Sequence, residues 1–283
     1  MILIKANEKR DFFKKFHYEL LTSSEDNLTI IEDFAATKDG KILEEYLKNK
    51  AWKADSDGET RVYLVKDEEG SVALFFSVKC GLLYKRYQYD SLDEDKREFV
   101  NLLIVAIQEE DNDTLTGYYE SGMYSDREMD ELFDIAQKRV ELKNEEKEIH
   151  DGEYALKVDE CFSAIEIQHF CKNSTYQSMD DVGVPLGFGI FWEVIVPFIC
   201  ELTNKVGCKY LYLFAADQTS DQEVRKLVQY YKNELKFCDI EDMMIIKPWY
   251  DKDCLGLIQE VAQLQYNREA VWEEFSDVDN EEI

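Results

Sequence analysis

Positive charge is what this chain has least of. Its 33 lysines and arginines face 61 aspartates and glutamates, a formal net charge of −28, and no basic run exceeds two residues. Nucleic acid is a polyanion and its binding needs a basic footprint. The composition therefore predicts no nucleic-acid partner and favours a small, cationic acceptor. Long apolar runs are also missing, and no charged-then-apolar start resembles a signal peptide, so no membrane role is expected. Proline occurs only three times and low-complexity sequence is sparse. The chain is expected to be ordered almost throughout, fraying at the acidic end Asp277–Ile283. Seven cysteines, an odd number without framework spacing, predict reduced thiols and a cytoplasmic location. Cys161, His169 and Cys171 occupy odd positions of one strand, but no fourth ligand and no zinc spacing accompany them. No metal site is expected.

What is present suits a large globular unit. With 283 residues and 45% hydrophobic content, the chain reads as a single domain over 1–283. Asp11–Leu21 carries Phe12, Phe13, Phe16 and Leu20 at helical spacing, which predicts an amphipathic helix. Leu28–Phe34 reads as a first strand and Lys41–Trp52 as a helix. Arg61–Lys66 and Val72–Val78 read as a hairpin across Asp67-Glu68-Glu69-Gly70, with the second strand running on through Leu82–Tyr84. Residues 91–150 are highly charged and helical in pattern, with helices over Lys96–Gln108 and Asp126–Glu148. They read as an acidic insertion between two strands of the main sheet, available for substrate specificity or a homodimer contact. Residues 255–283 read as a C-terminal helix and acidic tail.

The rest of the chain is organised around Ala164–Asp217. Ala164–Lys172 alternates like a strand, Val184–Gly189 is a turn with two glycines, and Ile190–Val206 is an apolar helix. Lys209–Ala215 is a second, aromatic-rich strand. A glycine turn between strand and helix leaves backbone N–H groups at the positive end of the helix dipole, a ready phosphate cradle. A later helix, Gln222–Leu235, places Val224, Leu227, Val228, Tyr231 and Leu235 on one stripe that excludes Tyr230. Met243–Lys247 reads as a strand, and Leu257–Phe275 as a final acidic helix.

These elements in this order resemble the GCN5-related N-acetyltransferases, the GNAT family, over Asn27–Tyr84 and Tyr154–Tyr250. Val184-Pro185-Leu186-Gly187-Phe188-Gly189 is similar to the family's Arg/Gln-x-x-Gly-x-Gly/Ala motif, with Val184 where the family has Arg or Gln. The ending Tyr231-Lys232-Asn233-Glu234-Leu235-Lys236-Phe237 resembles the family's Tyr-x-x-x-Gly-Phe, one residue longer and with Lys236 in place of the glycine. Leu43–Val65 resembles the N-terminal half of the small members that include toxin acetyltransferases.

The resemblance implies a mixed α/β fold: a mostly antiparallel sheet flanked by helices, with the central parallel strands splayed apart. It implies acetyl-CoA as cosubstrate and no metal. Phe170, Cys171 and Lys172 would pair with the pantetheine arm. Main-chain donors of Leu186, Gly187, Phe188, Gly189 and Ile190 would hold the pyrophosphate. Glu166 matches a strand glutamate that takes the amine proton in histone-acetylating members. Tyr231 would protonate the departing thiolate, with Tyr230 as the fallback if the extra residue shifts the register. By strand alternation Glu166 shares a face with Gln168 and Phe170, while Ile165, Ile167 and His169 take the other. A second reading is a non-catalytic interaction module on the same fold, in which the acidic insertion binds a basic partner.

Overall fold

The computed structural model describes residues 6–85, 89, 92–146, 160–177, 182–216, 221–240, 243–245 and 254–278. They form two compact units. One comprises Met1–Leu83, Phe162–Glu241 and Ile245–Ile283, and the other Tyr84–Cys161 with Asp242–Met244.

The first unit is built on a mixed sheet. In chain order the strands are β1 (His17–Leu20), β2 (Arg61–Lys66), β3 (Val72–Lys85), β4 (Cys161–Lys172), β5 (Tyr210–Ala215), β6 (Cys238–Asp239), β7 (Met243–Ile245), whose first two residues belong to the second unit, and β8 (Leu255–Glu260). The main path runs β1-β2-β3-β4-β5-β8-β6. The β1–β2, β2–β3, β5–β8 and β6–β8 ladders are antiparallel, and β4–β5 is parallel. This is the fold class implied by the family resemblance. The hairpin follows directly from the sequence. Gly70 ends the Asp67–Gly70 turn at φ +84°, a conformation that favours glycine, and Asp67 Oδ1 accepts hydrogen bonds from the Glu69 and Ser71 amides.

Two apolar cores lie on opposite faces. One gathers Phe13, Phe76, Ile165, Ile167, Phe191, Trp192, Leu211 and Leu213. The other gathers Leu21, Ile31, Phe34, Leu47, Val62, Leu64 and Phe75. The helices of this unit are α1 (Ala6–Phe13), α2 (Asp26–Ile30), α3 (Lys41–Asn49) and α4 (Ala51–Ser56). Leu186–Ile190, the π-helical turn Phe191–Ile195 and Val196–Thr203 follow one another, and this continuous stretch is labelled α8 below. In the second unit α5 (Glu94–Gln108), α6 (Asn112–Glu120) and α7 (Asp126–Glu146) enclose Phe99, Val100, Leu103, Ile104, Met129, Leu132 and Ile135. Asp93 and Asp111 cap α5 and α6 by accepting the amides of Lys96 and Thr114.

Several expectations are corrected. Asp11–Leu21 is not one helix: α1 ends at Phe13 and His17–Leu20 joins the sheet beside β2, because edge pairing outweighs local helical spacing. Leu28–Phe34 is helical rather than a strand, with Asn27, Ile31 and Phe34 buried at four- and three-residue intervals. Leu257–Glu260 belongs to β8, and the last helix is α10 (Val261–Val278). The intervening α9 is Asp221–Asn233. Contrary to the reading of no membrane-length run, Leu186–Thr203 is long and apolar enough to cross a bilayer by length and composition alone. Here it is a core helix: Ile190, Trp192, Ile195, Val196 and Ile199 are fully buried.

A buried ion-pair cluster ties α8 to α1 and α10. Glu193 accepts from Arg10 Nε at 2.9 Å, Arg268 Nη2 at 2.6 Å and Trp272 Nε1 at 2.8 Å. Pro197, four residues on, has no N–H for the Glu193 carbonyl, and the helix widens into its π turn there.

Candidate active site

The parallel ladder between β4 and β5 pairs Ala164 with Tyr210, Ile165 with Leu211, Glu166 with Tyr212 and Ile167 with Leu213. It ends there, although β4 continues to Lys172 and β5 to Ala215. The two central strands therefore part beyond Ile167. Main-chain groups on the opened edge of β4 are released from the ladder, which leaves them for another partner.

Across β4 the neighbouring strand reveals a bulge. Lys79 Nζ meets Glu166 at 3.3 Å, and Ser77 Oγ meets His169 Nδ1 at 2.7 Å. Two steps along β3 thus face three along β4, so one β4 residue is extra. The side-chain parity switches accordingly. Ile165 and Ile167 enter one core and Phe170 packs against that same core, while Cys171 enters the opposite one. The simple alternation predicted from sequence is corrected: His169 lies on the face of Glu166, and Phe170 on the face of Ile167.

A cavity of about 600 Å³ opens at the parting strands. Gln168, His169 and Phe170 line it from β4, Phe214 from β5, Tyr231 from α9 and Tyr46 from α3. The His169 ring stacks on Tyr46 with centroids 3.9 Å apart. Tyr46 Oη is buried without a hydrogen-bond partner among the described residues. Burial, and then the charge of Lys79, push the imidazole of His169 down to about 4, so it is neutral near pH 7. Burial raises the Tyr231 phenol to about 12, so it keeps its proton.

The predicted residues divide among these features. Tyr231 and Phe170 line the cavity. Glu166 is buried and does not line it. Its Oε2 accepts from Tyr212 Oη at 2.8 Å and faces Lys79 Nζ. Cys171 points away, into the second core, where burial lifts its thiol to about 12. Lys172 is exposed at the strand end.

The expected glycine turn is already helix. Pro185, whose fixed φ suits a helix start, precedes Leu186–Ile190, and no side chain caps this end. The Gly189 amide donates to the Pro185 carbonyl at 3.1 Å, so it is spent inside the helix. A Cβ on Gly189 would sit 2.3 Å from the Phe13 ring. That glycine makes room for the core rather than for a phosphate. Gly187 is different: a Cβ there would lie 3.3 Å from Tyr230 Oη and 3.6 Å from the Phe170 ring. Phe188 and Ile190 are buried. Tyr230, excluded from the apolar stripe on sequence grounds, packs against the first core with its phenol raised by burial. His169 and Tyr46 were missed as cavity residues, and Ser77 as the buried partner of His169. His169 was placed on the face of Ile165 and Ile167, and the bulge turns it to the other one.

No protein-family profile matches the chain, and no curated protein does. Solved structures with a similar course include a point mutant of the AtaT toxin bound to the C-terminus of the antitoxin AtaR and acetyl-CoA, at 9% identity, 89% of this chain, 96% of that chain and a TM-score of 0.44. AtaT complexed with acetyl-methionyl-tRNAfMet is 10% identical over 89% of this chain and 98% of that chain, with a TM-score of 0.42. The AtaT–AtaR complex bound to DNA is 9% identical over 88% and 97%, with a TM-score of 0.43. Two of these neighbours hold nucleic acid, where the composition had predicted no such partner and a small-molecule acceptor. Net charge is a whole-chain sum and does not fix a local surface. Lys41, Lys48, Lys50 and Lys53 fall on α3, on α4 or between them, and Lys50 lines the cavity.

Proposed function

We propose that the protein is an acetyl-CoA-dependent N-acetyltransferase that transfers acetyl directly to an amine. The observation that supports this reading most is the parting of β4 and β5 beyond Ile167↔Leu213, with a cavity at the opening. An extended pantetheine arm adds to the freed edge of β4 as a strand would. The first amides of α8, at Leu186 and Gly187, lie at the positive end of the helix and suit the pyrophosphate. Val184 offers no charge there, so the backbone carries that contact.

In this reading the acceptor nitrogen attacks the thioester carbon, the C–N bond forms and the C–S bond breaks. Tyr231 gives its phenolic proton to the departing sulfur, for which a protonated phenol in the cavity is suited. The acceptor class put forward is the α-amino group of an aminoacyl-tRNA, in keeping with the likeness of Leu43–Val65 to the toxin acetyltransferases. Calorimetry with acetyl-CoA tests the site. Micromolar binding, abolished by Ala216→Trp at the cavity wall, is expected. Absence of binding at millimolar acetyl-CoA would overturn the reading. Incubation with an aminoacylated tRNA pool and radiolabelled acetyl-CoA tests the acceptor, and label in the acid-precipitable fraction is expected.

A further inference from the structure

The bulge in β4 has a chemical consequence. It brings His169 to the cavity on the same face as Glu166, and the two residues are held very differently. Glu166 is 3% exposed, hydrogen-bonded by Tyr212 and paired with Lys79. Its carboxylate is taken up by these two partners and does not line the cavity. His169 is held on one side only. Nδ1 lies 2.7 Å from Ser77 Oγ and the ring is stacked on Tyr46, while Nε2 has no partner among the described residues.

We infer that His169, not Glu166, is the base that takes the proton from the acceptor amine, with Ser77 as the positioning residue that fixes its tautomer. This rests on the acetyltransferase reading above. When Nδ1–H donates to Ser77 Oγ, Nε2 carries the lone pair and faces the cavity. The amine nitrogen adds to the carbonyl carbon of the thioester. The proton it sheds goes to Nε2, and the C–S bond then breaks with the Tyr231 proton passing to sulfur. The imidazolium returns its proton to water, and the phenol regains one from water, so the cycle closes. A weakly basic imidazole is adequate for this step. A nitrogen already bonded to the carbonyl carbon holds its extra proton far less tightly than a free ammonium.

Two readouts test the assignment, and the first needs no acceptor. The chain has three histidines, so ¹⁵N-histidine labelling with His169→Gln as the assignment control resolves this ring. At neutral pH the expected pattern is a protonated Nδ1 and an unprotonated Nε2, with Ser77→Ala mixing the two tautomers. A ring protonated on Nε2 would overturn the proposal. The second is acetyl transfer to the aminoacylated tRNA pool. His169→Gln is expected to lower kcat by roughly 100-fold or more while binding acetyl-CoA in calorimetry as the parent does. Transfer at the parent rate by His169→Gln would refute the role of His169 and leave the acetyltransferase reading standing. A parent protein that binds no acetyl-CoA would instead remove that reading. If His169→Gln does not fold, Ser77→Ala carries the kinetic test, with a loss in kcat and an unchanged acetyl-CoA affinity expected.

Discussion

Tyr212 Oη donates a 2.8 Å hydrogen bond to Glu166 Oε2, across the parallel ladder that sets these two residues opposite each other. Lys79 Nζ lies 3.3 Å from the same carboxylate oxygen, and a Cβ on Gly81 would fall 2.2 Å from the Tyr212 hydroxyl. The glutamate that looked like a base in the sequence is thus the centre of a packed polar cluster. Glu166→Gln is expected to cost about 1.5–3 kcal/mol in urea denaturation, the range for losing hydrogen bonds to a charged group. Acetyl transfer should stay within a few-fold of the parent. A collapse of kcat with stability intact would restore Glu166 as the base.

Gly189 and Phe13 share one volume. Gly189→Ala puts a methyl carbon against a fully buried ring, and overpacking of this kind costs about 1–3 kcal/mol. The expected result is a lowered midpoint of chemical denaturation, since this glycine serves the packing of α1 against α8. An unchanged midpoint with weaker acetyl-CoA binding would assign it to the phosphate instead.

Lys236 has φ +58°, the left-handed conformation that glycine adopts at little cost. It follows α9, where the Phe237 amide donates to the Tyr231 carbonyl at 3.0 Å and closes the helix end. Lys236→Gly should therefore stabilise the protein by about 0.5–1 kcal/mol, read as a melting temperature raised by roughly 2 °C. The substitution also recreates the glycine of the motif that this segment resembles.

His169 gives stability a defined pH dependence. Its folded-state value of about 4, set by burial and then by Lys79, lies below the ordinary histidine value near 6.5. Between these limits the unfolded chain binds a proton that the folded chain refuses. Stability should be unaffected above about pH 6.5 and should fall as pH drops towards 4, by about 3 kcal/mol over the whole span. Urea denaturation at intervals from pH 7 to 4 should give a shallower decline for His169→Gln than for the parent.

Glu19 titrates in a separate window. Lys66 Nζ donates to it at 2.6 Å, and Ser23 and Asn27 donate as well. The Lys66 hydrogen bond, opposed by partial burial, holds the carboxyl at about 2. Its contribution is complete above about pH 4.5 and is lost as pH falls through 2. Carbon-detected NMR should find the Glu19 carboxyl titrating near 2, and moving towards the ordinary range in Lys66→Met.

The sequence carried whatever short-range chemistry decides. Asp67–Gly70 between two alternating runs makes the hairpin, because a turn ending in glycine has few other uses there. The apolar helix after Pro185, the stripe of α9 and the aromatic strand β5 were legible for the same reason: their side-chain periods match their backbone periods. Leu28–Phe34 was not, since an apolar run this short fits a strand or a buried helix equally well.

Where strands part, which β4 residue is extra and what a glycine makes room for depend on groups far apart in the chain. Ile167 and Leu213 end their ladder 46 positions apart, Ser77 meets His169 across 92, and Phe13 fills the space that Gly189 leaves across 176. No local pattern encodes those encounters. The order of the elements was therefore set by residue types along the chain. The proton-handling face of the cavity was set by packing, because one extra residue in a central strand turns every later side chain to the opposite side.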